Sequence, residues 1–454
     1  MPAIESPEEA APAADRPTTG SALHGLPPGP DWSVARSTMR WWRRPLQTLE
    51  YCRDRYGGMF TYRLAHEGTW VFVSDPEAIK QVFTGDPRLL HAGEANIVLL
   101  PVLGEHSVLL LDEPEHMKER KLMLPPFHGR RMKAYGEAMA DIAAEEIDRW
   151  PASEPVRMRS RMQAMTLEII LRAVFGVGEG ERLTRLRDEL RRTLNLLANP
   201  RRALFLVLLG PERVRRFPPF RRHIERVDRL LFEEIATRRQ VPDLAERDDI
   251  LSLLLQARHE DGRPMGDREL RDELMTLLVA GHETTATALS WATELLSRHP
   301  EELERLEASM AECEEAYLDS VIKETLRLRP VIALVLRKLV EPTEIGGHLL
   351  PAGVSVAPSI YLAHRNPEIY PEPERFRPER FLEEPAGTYT WIPFGGGVRR
   401  CLGAAFAEFE MGVVLKELIA RRRIRPVGDG PEHSVRSTIT NVPNRGAEVL
   451  LPPR

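Results

Sequence analysis

Cysteine is scarce in this chain of 454 residues, which contains only Cys52, Cys313 and Cys401. An odd and sparse set of cysteines excludes a disulfide framework and is typical of a protein in a reducing compartment. We therefore expect a cytoplasmic location.

Long apolar runs are also missing, since the longest spans only residues 203–209. A helix that crosses a bilayer needs about 20 mostly apolar residues, so we predict no membrane span. The net charge of −5 gives no general basic field, which disfavours a nucleic-acid-binding protein. Residues 1–25 have no basic start and no apolar stretch, and they predict a disordered tail without a signal peptide.

Helical periodicity dominates the rest of the chain and predicts a mainly α, α+β protein. A length of roughly 150 residues per domain would suggest three domains. Alternating residues predict a β-hairpin over 59–64 and 70–74, and a second β region is expected over 343–359. The predicted helices cover 114–124, 130–149, 160–175, 181–198, 219–239, 267–299, 301–328 and 402–423.

The helix predicted over 267–299 would be about 50 Å long, and its centre is unusual. Gly281 and Thr284 are poor choices for the middle of a buried helix. Glycine permits a close approach to the backbone, and a threonine hydroxyl can bond the carbonyl one turn back. A packing glycine beside a solvated Glu283 explains the same segment equally well, and the residues alone leave both interpretations open.

A glycine-rich loop, residues 395–397, leads into the last predicted helix, and Cys401 stands at that junction. Backbone N–H groups at such a junction favour a thiolate. Arg400 replaces the third glycine of a dinucleotide-binding G-x-G-x-x-G, and His282-Glu283 lacks the second histidine of a zinc-binding H-E-x-x-H. A nucleophilic cysteine remains open because its histidine base could lie elsewhere in the sequence.

The loop has the form F-x-x-G-x-R-x-C-x-G, carried by Phe394, Gly397, Arg399, Cys401 and Gly403. This pattern resembles the haem-binding motif of the cytochrome P-450 family. Segments 112–120, 280–285, 324–327 and 376–381 are similar to four further motifs of that family, in its order and spacing. The resemblance implies one helix-rich domain over 26–454 with small β-sheets. It also implies a haem b cofactor (iron protoporphyrin IX) between the long central helix and the cysteine-bearing helix.

The resemblance assigns roles to individual residues. Cys401 would be the axial thiolate of the haem iron, and Ala280 would leave room for dioxygen. Glu283 and Thr284 would form the acid–alcohol pair that delivers protons. The residues that would bind the haem propionates are His116, Arg120, Arg337 and Arg399. The alternative for Arg120 and Arg337 is that they are ordinary exposed arginines at the surface.

The same resemblance implies a buried structural network of Glu324, Arg327 and a third arginine. Arg380 is our choice for that third member, and Arg375 is its rival. Read alone, the first two residues would form an ordinary surface pair on one helix face. The family usually has an extra helix before this segment, but here 303–318 is short and acidic, which puts its local structure in doubt.

The implied function is a soluble, monomeric monooxygenase that acts on an apolar small molecule. No flavin or ferredoxin domain remains in the chain, so electrons would come from a separate ferredoxin and an NAD(P)H-dependent ferredoxin reductase. A basic docking face is expected over 116–133, with further candidates at Arg400, Lys416 and 421–423. The run 421–423 would alternatively complement a helix C-terminus.

The substrate pocket is the part that the resemblance defines least. Segment 203–209 would be either a mobile lid or a buried helix. A haem-thiolate sensor without turnover is the alternative function, but a sensor needs no proton relay, so Glu283 and Thr284 favour the enzyme. The pocket candidates are Val98, Leu277, Ile332, Leu334 and Ile439.

Overall fold

Helices form most of the structure, a computed structural model that describes residues 25–127, 131–176, 180–198 and 209–454. The predicted tail and residues 203–208 of the apolar run lie outside the described residues. The helices are α1 Val34–Arg43, α2 Pro45–Tyr56, α3 Pro76–Thr84, α4 Leu100–Leu103, α5 Glu115–Met123, α6 Arg131–Asp148, α7 Met158–Phe175, α8 Glu181–Ala198, α9 Pro211–Arg216, α10 Pro218–Arg238, α11 Ile250–Gln256, α12 Asp267–Arg298, α13 Pro300–Ala311, α14 Ala316–Leu328, α15 Ile360–Ala363, α16 Arg380–Glu383 and α17 Ala404–Arg421.

Short strands form small sheets beside the helices. The largest sheet among the described residues has five strands in the order β1-β2-β8-β5-β3, in which β2 and β8 are parallel. The smaller sheets pair β4-β12-β9, β6-β7 and β10-β11. The strands are β1 Met59–Leu64, β2 Gly68–Val73, β3 Leu90–His91, β4 Val156–Arg157, β5 Arg337–Leu339, β6 Thr343–Ile345, β7 His348–Leu350, β8 Ser355–Pro358, β9 Arg425–Pro426, β10 Ser434–Ser437, β11 Thr440–Pro443 and β12 Glu448–Leu450.

Both predicted β regions are confirmed. The first is an antiparallel hairpin of β1 and β2, with Met59 opposite Val73. The second contains the β6–β7 hairpin, whose turn residues Gly346 and Gly347 have positive φ angles of 57° and 77°. Only glycine adopts such angles without strain, so these two residues decide where the hairpin turns.

The single helix predicted over 301–328 is wrong. The chain forms two helices, α13 and α14, separated where Cys313 has a positive φ of 60°. Residues 311–316 are all exposed, so this acidic stretch has no apolar face to bury against a neighbour. Helices in proteins depend mainly on such packing, and the helix therefore stops there. The sequence analysis also missed α1 and α2, whose helices precede β1.

The core is organised around α12. Its largest apolar cluster joins α12 to side chains of α6, α7, α10, α14 and α17. Several hydroxyl groups inside α12 are satisfied by carbonyls of the helix itself. For example, Ser290 Oγ donates to the Ala286 carbonyl over 2.6 Å, and Thr293 Oγ1 donates to the Leu289 carbonyl over 2.9 Å. Because buried hydroxyls need a partner, these bonds let a helix with many threonines cross the interior.

Two further apolar clusters lie around the five-stranded sheet, one against α3 and the other against α1 and α2. The sheet therefore packs against helices on both sides. Among the described residues, no helix combines the length and the apolar character that crossing a membrane requires.

Candidate cofactor site

Cys401 stands three residues before α17, at the end of the loop that begins at Phe394. Its backbone N–H donates to the Phe394 carbonyl over 2.9 Å, which closes the loop. The residue retains exposed surface. Burial nevertheless raises the pKa of its thiol, against the opposing effects of the Gly403 N–H, Arg120 and Arg400. Cys401 is therefore an exposed residue whose thiol is nevertheless surrounded by protein atoms.

The glycines of this loop serve its packing against α3. A Cβ on Gly397 would lie 2.0 Å from the Phe83 carbonyl oxygen, and a Cβ on Gly396 would lie 2.2 Å from the Phe83 ring. Gly397 also has a positive φ of 65°. A side chain at either position would collide with Phe83, at the C-terminal end of α3, so this packing requires Gly396 and Gly397. A Cβ on Gly403 would meet open space.

The middle of α12 contains residues 280–285, the segment to which the resemblance assigns room for dioxygen and the delivery of protons. Ala280 is exposed, although the helix around it is mostly buried. A Cβ on Gly281 would lie 3.2 Å from Ile170, so this glycine lets α7 pack closely. Thr284 Oγ1 donates to the Ala280 carbonyl over 2.5 Å. The helix remains continuous through these residues, so the threonine binds the preceding turn without opening it.

His116, Arg120, Arg337 and Arg399 form a group of buried or half-buried basic side chains, which we call the cation cluster. Each of the three arginines donates to at least one backbone carbonyl, for instance Arg120 Nη2 to the Arg400 carbonyl over 2.8 Å. Arg399 also pairs with Asp112 at 3.1 Å. Among the described residues, Arg120 and Arg337 form no ion pair with a carboxylate at all.

Burial and mutual repulsion lower the pKa of every member of the cation cluster. Burial and then Arg399 lower the pKa of His116 to about 4, although Glu113 lies 2.6 Å from its Nδ1. The same two causes lower the pKa of Arg337 to about 10. For Arg120 and Arg399 burial is the first cause as well. The cluster therefore has more positive charge than its protein neighbours neutralise, and an anionic ligand would stabilise it.

Glu324, Arg327 and Arg380 form a second group, which we call the balanced cluster. Glu324 and Arg327 are fully buried and make a bidentate pair over 2.6 and 2.9 Å. Arg380 Nε donates to Glu324 Oε1 over 3.1 Å. Arg375 offers only its backbone carbonyl to Arg327, and its side chain pairs with Glu372 at the surface.

Glu283 lies one turn from Ala280 and is held by residues that the sequence analysis missed. Arg159 Nη2 donates to its Oε1 over 2.7 Å, and Gln163 Nε2 donates to its Oε2 over 2.5 Å. Arg159 also reaches Ser437 Oγ over 3.2 Å. Both partners belong to α7, more than 100 residues away in sequence, and no local pattern points to them.

The sequence analysis also missed Glu410, an acid on α17. It is buried and hydrogen-bonded to Thr285 of α12, and burial raises the pKa of its carboxyl well above the usual value. Burial therefore favours the neutral form of this acid, which joins the cysteine-bearing helix to the long helix.

The profile of the Cytochrome P450 family matches residues 27–449 of this chain. The chain belongs to the cytochrome P450 family. A Mycobacterium tuberculosis relative named cytochrome P450 135B1 is 45% identical over 439 residues, which cover 95% of this chain and 93% of the relative. Cytochrome P450 135A1 of the same species is 40% identical over 435 residues, covering 95% of this chain and 96% of the relative.

A solved structure has the same fold. The structure described as retinoic acid bound cyanobacterial CYP120A1 aligns with a TM-score of 0.82 and 24% identity, over 95% of this chain and all of that one. Family membership makes this cytochrome P450 a haem-thiolate monooxygenase that uses O₂, electrons from redox partners and a small-molecule substrate. Its cofactor is haem, and the expectations of a helix-rich fold and of this family are confirmed.

The residues present fit such a cofactor. Haem in this family is held by a cysteine thiolate. Cys401 is an exposed residue just before the last helix, and a metal ion would favour the thiolate form of its sulfur. The cation cluster lacks the negative charge that two propionates would bring. Ala280 supplies a small exposed side chain on the neighbouring long helix.

The predicted pocket residues are distributed over several elements. Leu277 is half-buried against the main core, whereas Ile332 and Leu334 pack beside the two clusters of the five-stranded sheet. Val98 and Ile439 are among the exposed large apolar side chains, with 43% and 50% of their surface accessible.

The basic residues proposed for docking differ in their surroundings. Lys118 and Lys121 are exposed and pair with Glu115 and Glu260, whereas Arg130 lies outside the described residues. Arg400 is exposed next to the cysteine.

The run 421–423 does not act as one basic patch. Arg422 is buried and donates to the carbonyls of Ile147, Asp148 and Trp150. It therefore fastens the end of α17 to α6 and cannot meet a partner, which corrects the expectation for that residue.

Proposed function

We propose that this cytochrome P450 inserts one oxygen atom of O₂ into an apolar small molecule by hydroxylation or epoxidation. The protein would act as a monomer and receive electrons from a separate ferredoxin and an NAD(P)H-dependent ferredoxin reductase. The observation that carries the proposal is the exposed residue Cys401, whose thiol is surrounded by protein, together with the cation cluster, in which Arg120 and Arg337 pair with no carboxylate among the described residues. When bound through this sulfur, haem supplies the activation of dioxygen.

In this proposal Cys401 is the axial ligand, and Gly403 tunes it by directing a backbone N–H at the sulfur. Hydrogen bonds of this kind reduce the electron donation of a thiolate and adjust its redox potential. Phe394 and Gly397 shape the loop, since the Phe394 carbonyl accepts the Cys401 N–H and Gly397 fits under Phe83. His116, Arg120, Arg337 and Arg399 hold the propionates.

Proton delivery falls to Glu283 and Thr284. The Thr284 hydroxyl lies beside the exposed Ala280, where it can hold a water molecule close to dioxygen. The Glu283 carboxylate supplies protons to that hydroxyl. Arg159 and Gln163 fix this carboxylate, so its exchange of a proton with water requires it to leave at least one of these partners.

Apolar side chains support the choice of substrate class. Val98 and Ile439 have accessible apolar surface that would contact such a ligand. Pockets for small molecules are lined mostly by apolar side chains. For the electron donor, exposed Lys118, Lys121 and Arg400 favour an acidic partner such as a ferredoxin.

The central test replaces the sulfur. We expect Cys401→Ser to abolish substrate oxidation and the red-shifted Soret band of the reduced, carbon-monoxide-treated protein, while Cys313→Ser, at an exposed cysteine, keeps both. Absorption spectra over a library of fatty acids, terpenoids, steroids, polyketides and retinoic acid should show spin-state shifts with apolar members. Consumption of NADPH with ferredoxin and reductase then separates turnover from sensing. A normal band in Cys401→Ser would refute the ligand, and binding without NADPH consumption would favour the sensor.

Thr284→Ala tests the proton path. The variant should consume NADPH at a similar rate but release hydrogen peroxide in place of most of the product, because protons no longer reach dioxygen in order. The measured quantity is product formed per NADPH, with Thr287→Ala as the matched control, since Thr287 also bonds the carbonyl one turn back. An unchanged ratio of product to NADPH in Thr284→Ala would contradict the role.

A further inference from the structure

Three ionisable side chains from separate parts of the chain meet beside α5. They are Glu119 on α5, His259 in the loop before α12, and Glu269 in the first turn of α12. One ligand atom from each lies within 4.8 Å of the other two. None of them belongs to the haem-binding residues described above.

Two of these side chains are buried and incompletely paired. Glu119 and His259 each leave only 9% of the side chain accessible. Glu119 Oε2 and His259 Nε2 have no hydrogen-bond partner within the described ranges of the chain. Since buried polar atoms are nearly always paired, two neighbouring atoms without partners indicate a missing ligand.

The separations are too long for hydrogen bonds but suit a shared cation. His259 Nε2 lies 3.6 Å from Glu269 Oε2, and His259 Nδ1 lies 4.0 Å from Glu119 Oε1. Zinc binds imidazole nitrogen and carboxylate oxygen at about 2.0–2.2 Å, so ligand atoms around it stand roughly 3.3 Å apart. The two distances involve different ring nitrogens, so an ion would use one nitrogen of His259, and the carboxylate that faces the other nitrogen would have to rotate towards it.

Glu269 is already oriented as a metal ligand should be. Its carboxylate receives two hydrogen bonds of 3.0 Å from Arg263 and one of 2.6 Å from the Gly266 N–H. Hydrogen bonds of this kind fix the direction of ligating carboxylates in metal sites. Arg263 is exposed on the outer side of the three residues, and it also neutralises the negative charge of Glu269.

The electrostatic environment favours a cation. Burial raises the pKa of the Glu119 carboxyl, and the nearby Glu269 raises it further. Glu273, one turn further along α12 than Glu269, is buried, its Oε2 has no partner among the described residues, and Glu119 raises its pKa. Positive charge between these carboxylates would relieve the repulsion.

We propose that Glu119, His259 and Glu269 bind a divalent transition-metal ion, with Zn²⁺ as the best match. One imidazole with two carboxylates suits zinc better than Mg²⁺ or Ca²⁺, which prefer oxygen ligands alone. The ion would fasten α5 to the start of α12. It would thereby steady the helix that presents His116 and Arg120, without touching the haem.

The test uses the full-length, haem-loaded protein after treatment with EDTA. Calorimetric titration with Zn²⁺ should reveal one tight site, and the bound ion should raise the temperature of unfolding, whereas Mg²⁺ should do neither. X-ray absorption at the zinc edge should report nitrogen and oxygen ligands without sulfur. This last result separates the site from the exposed Cys313.

Variants assign the site. His259→Ala and Glu119→Gln should each weaken zinc binding by about tenfold or more, while His433→Ala, at an exposed histidine, leaves it unchanged. The competing arrangement is a protonated His259 bridging the two carboxylates without metal. No zinc binding to the parent protein, or equal binding to the parent and both variants, would overturn the proposal.

Discussion

The cation cluster and the balanced cluster are both largely buried and rich in arginine, yet they differ in whether each arginine pairs with a carboxylate. In the balanced cluster, Glu324 meets Arg327 in a bidentate pair and also receives Arg380. In the cation cluster, Arg399 pairs with Asp112, whereas Arg120 and Arg337 pair with no carboxylate among the described residues. Arginine alone therefore does not distinguish a structural network from a binding site, whereas the direct pairing of each arginine with a buried carboxylate does.

The physical reason lies in desolvation. A buried charge without a partner is destabilising, and a protein retains it only where something else stabilises it. The balanced cluster carries its own anion and holds the loop before α16 against α14. The cation cluster depends on the anionic groups of a ligand.

The largest expected effect comes from removing the anion of the balanced cluster. Glu324→Gln leaves Arg327 and Arg380 buried without a countercharge, which should lower the free energy of unfolding by about 3–5 kcal/mol and reduce haem retention. Denaturant unfolding of the haem-loaded protein measures the loss. Arg375→Ala is the control from the same loop, and it should change stability by less than about 1 kcal/mol because its ion pair is exposed. Equal losses of stability in Glu324→Gln and Arg375→Ala would show that Glu324 contributes no more than an exposed ion pair.

Removing a cation from the other cluster should have the opposite sign in the haem-free protein. Arg337→Leu deletes a buried charge that has no carboxylate partner, so the haem-free protein should be as stable as the parent or more stable. Haem affinity should fall by about tenfold or more, because a charge-assisted hydrogen bond contributes about 1.5–3 kcal/mol. Transfer of haem to a scavenging protein measures the affinity, and Arg337→Lys should lie between parent and Arg337→Leu. If the haem-free Arg337→Leu variant is less stable than the haem-free parent, other groups of the protein already stabilise the charge of Arg337.

The smallest effect is a pH dependence of the haem-free protein. The pKa of His116 falls from 6.5 to about 4 in the folded chain, so the unfolded chain binds this proton more readily. The contribution of His116 to stability is therefore complete above about pH 6.5 and is lost as the pH falls towards 4. His116→Gln should flatten the curve of stability against pH between about pH 4 and 6.5. Bound haem should narrow the pH range over which His116 changes stability, because the propionates favour protonated His116. The same slope in parent and variant would show that other groups cause it.

Much of the fold follows from short-range sequence patterns. Apolar periodicity placed α12 within one residue of its observed ends, and Asp75 caps α3 with hydrogen bonds to the N–H groups of Glu77 and Ala78, as its position before a proline predicts. Periodicity failed at 311–316, where helix-forming residues have no surface to pack against. It also failed for α1 and α2.

The candidate site divides in a similar way. The motif around Cys401 predicts the loop and the cysteine, because those residues are neighbours in sequence. Arg159 and Gln163 were not predictable, since α7 meets Glu283 only in the folded chain. The same holds for the glycines of the loop, whose requirement comes from Phe83, over 300 residues earlier.

The sequence by itself determined the family, the haem-thiolate chemistry and the long helix, because each depends on residues within one segment. Only the tertiary structure decided which arginines are neutralised, which acid is held by an ion pair, and that Glu119, His259 and Glu269 meet. Charge balance, burial and ligand geometry depend on neighbours in space. Those neighbours come from distant segments, so a linear pattern does not record them.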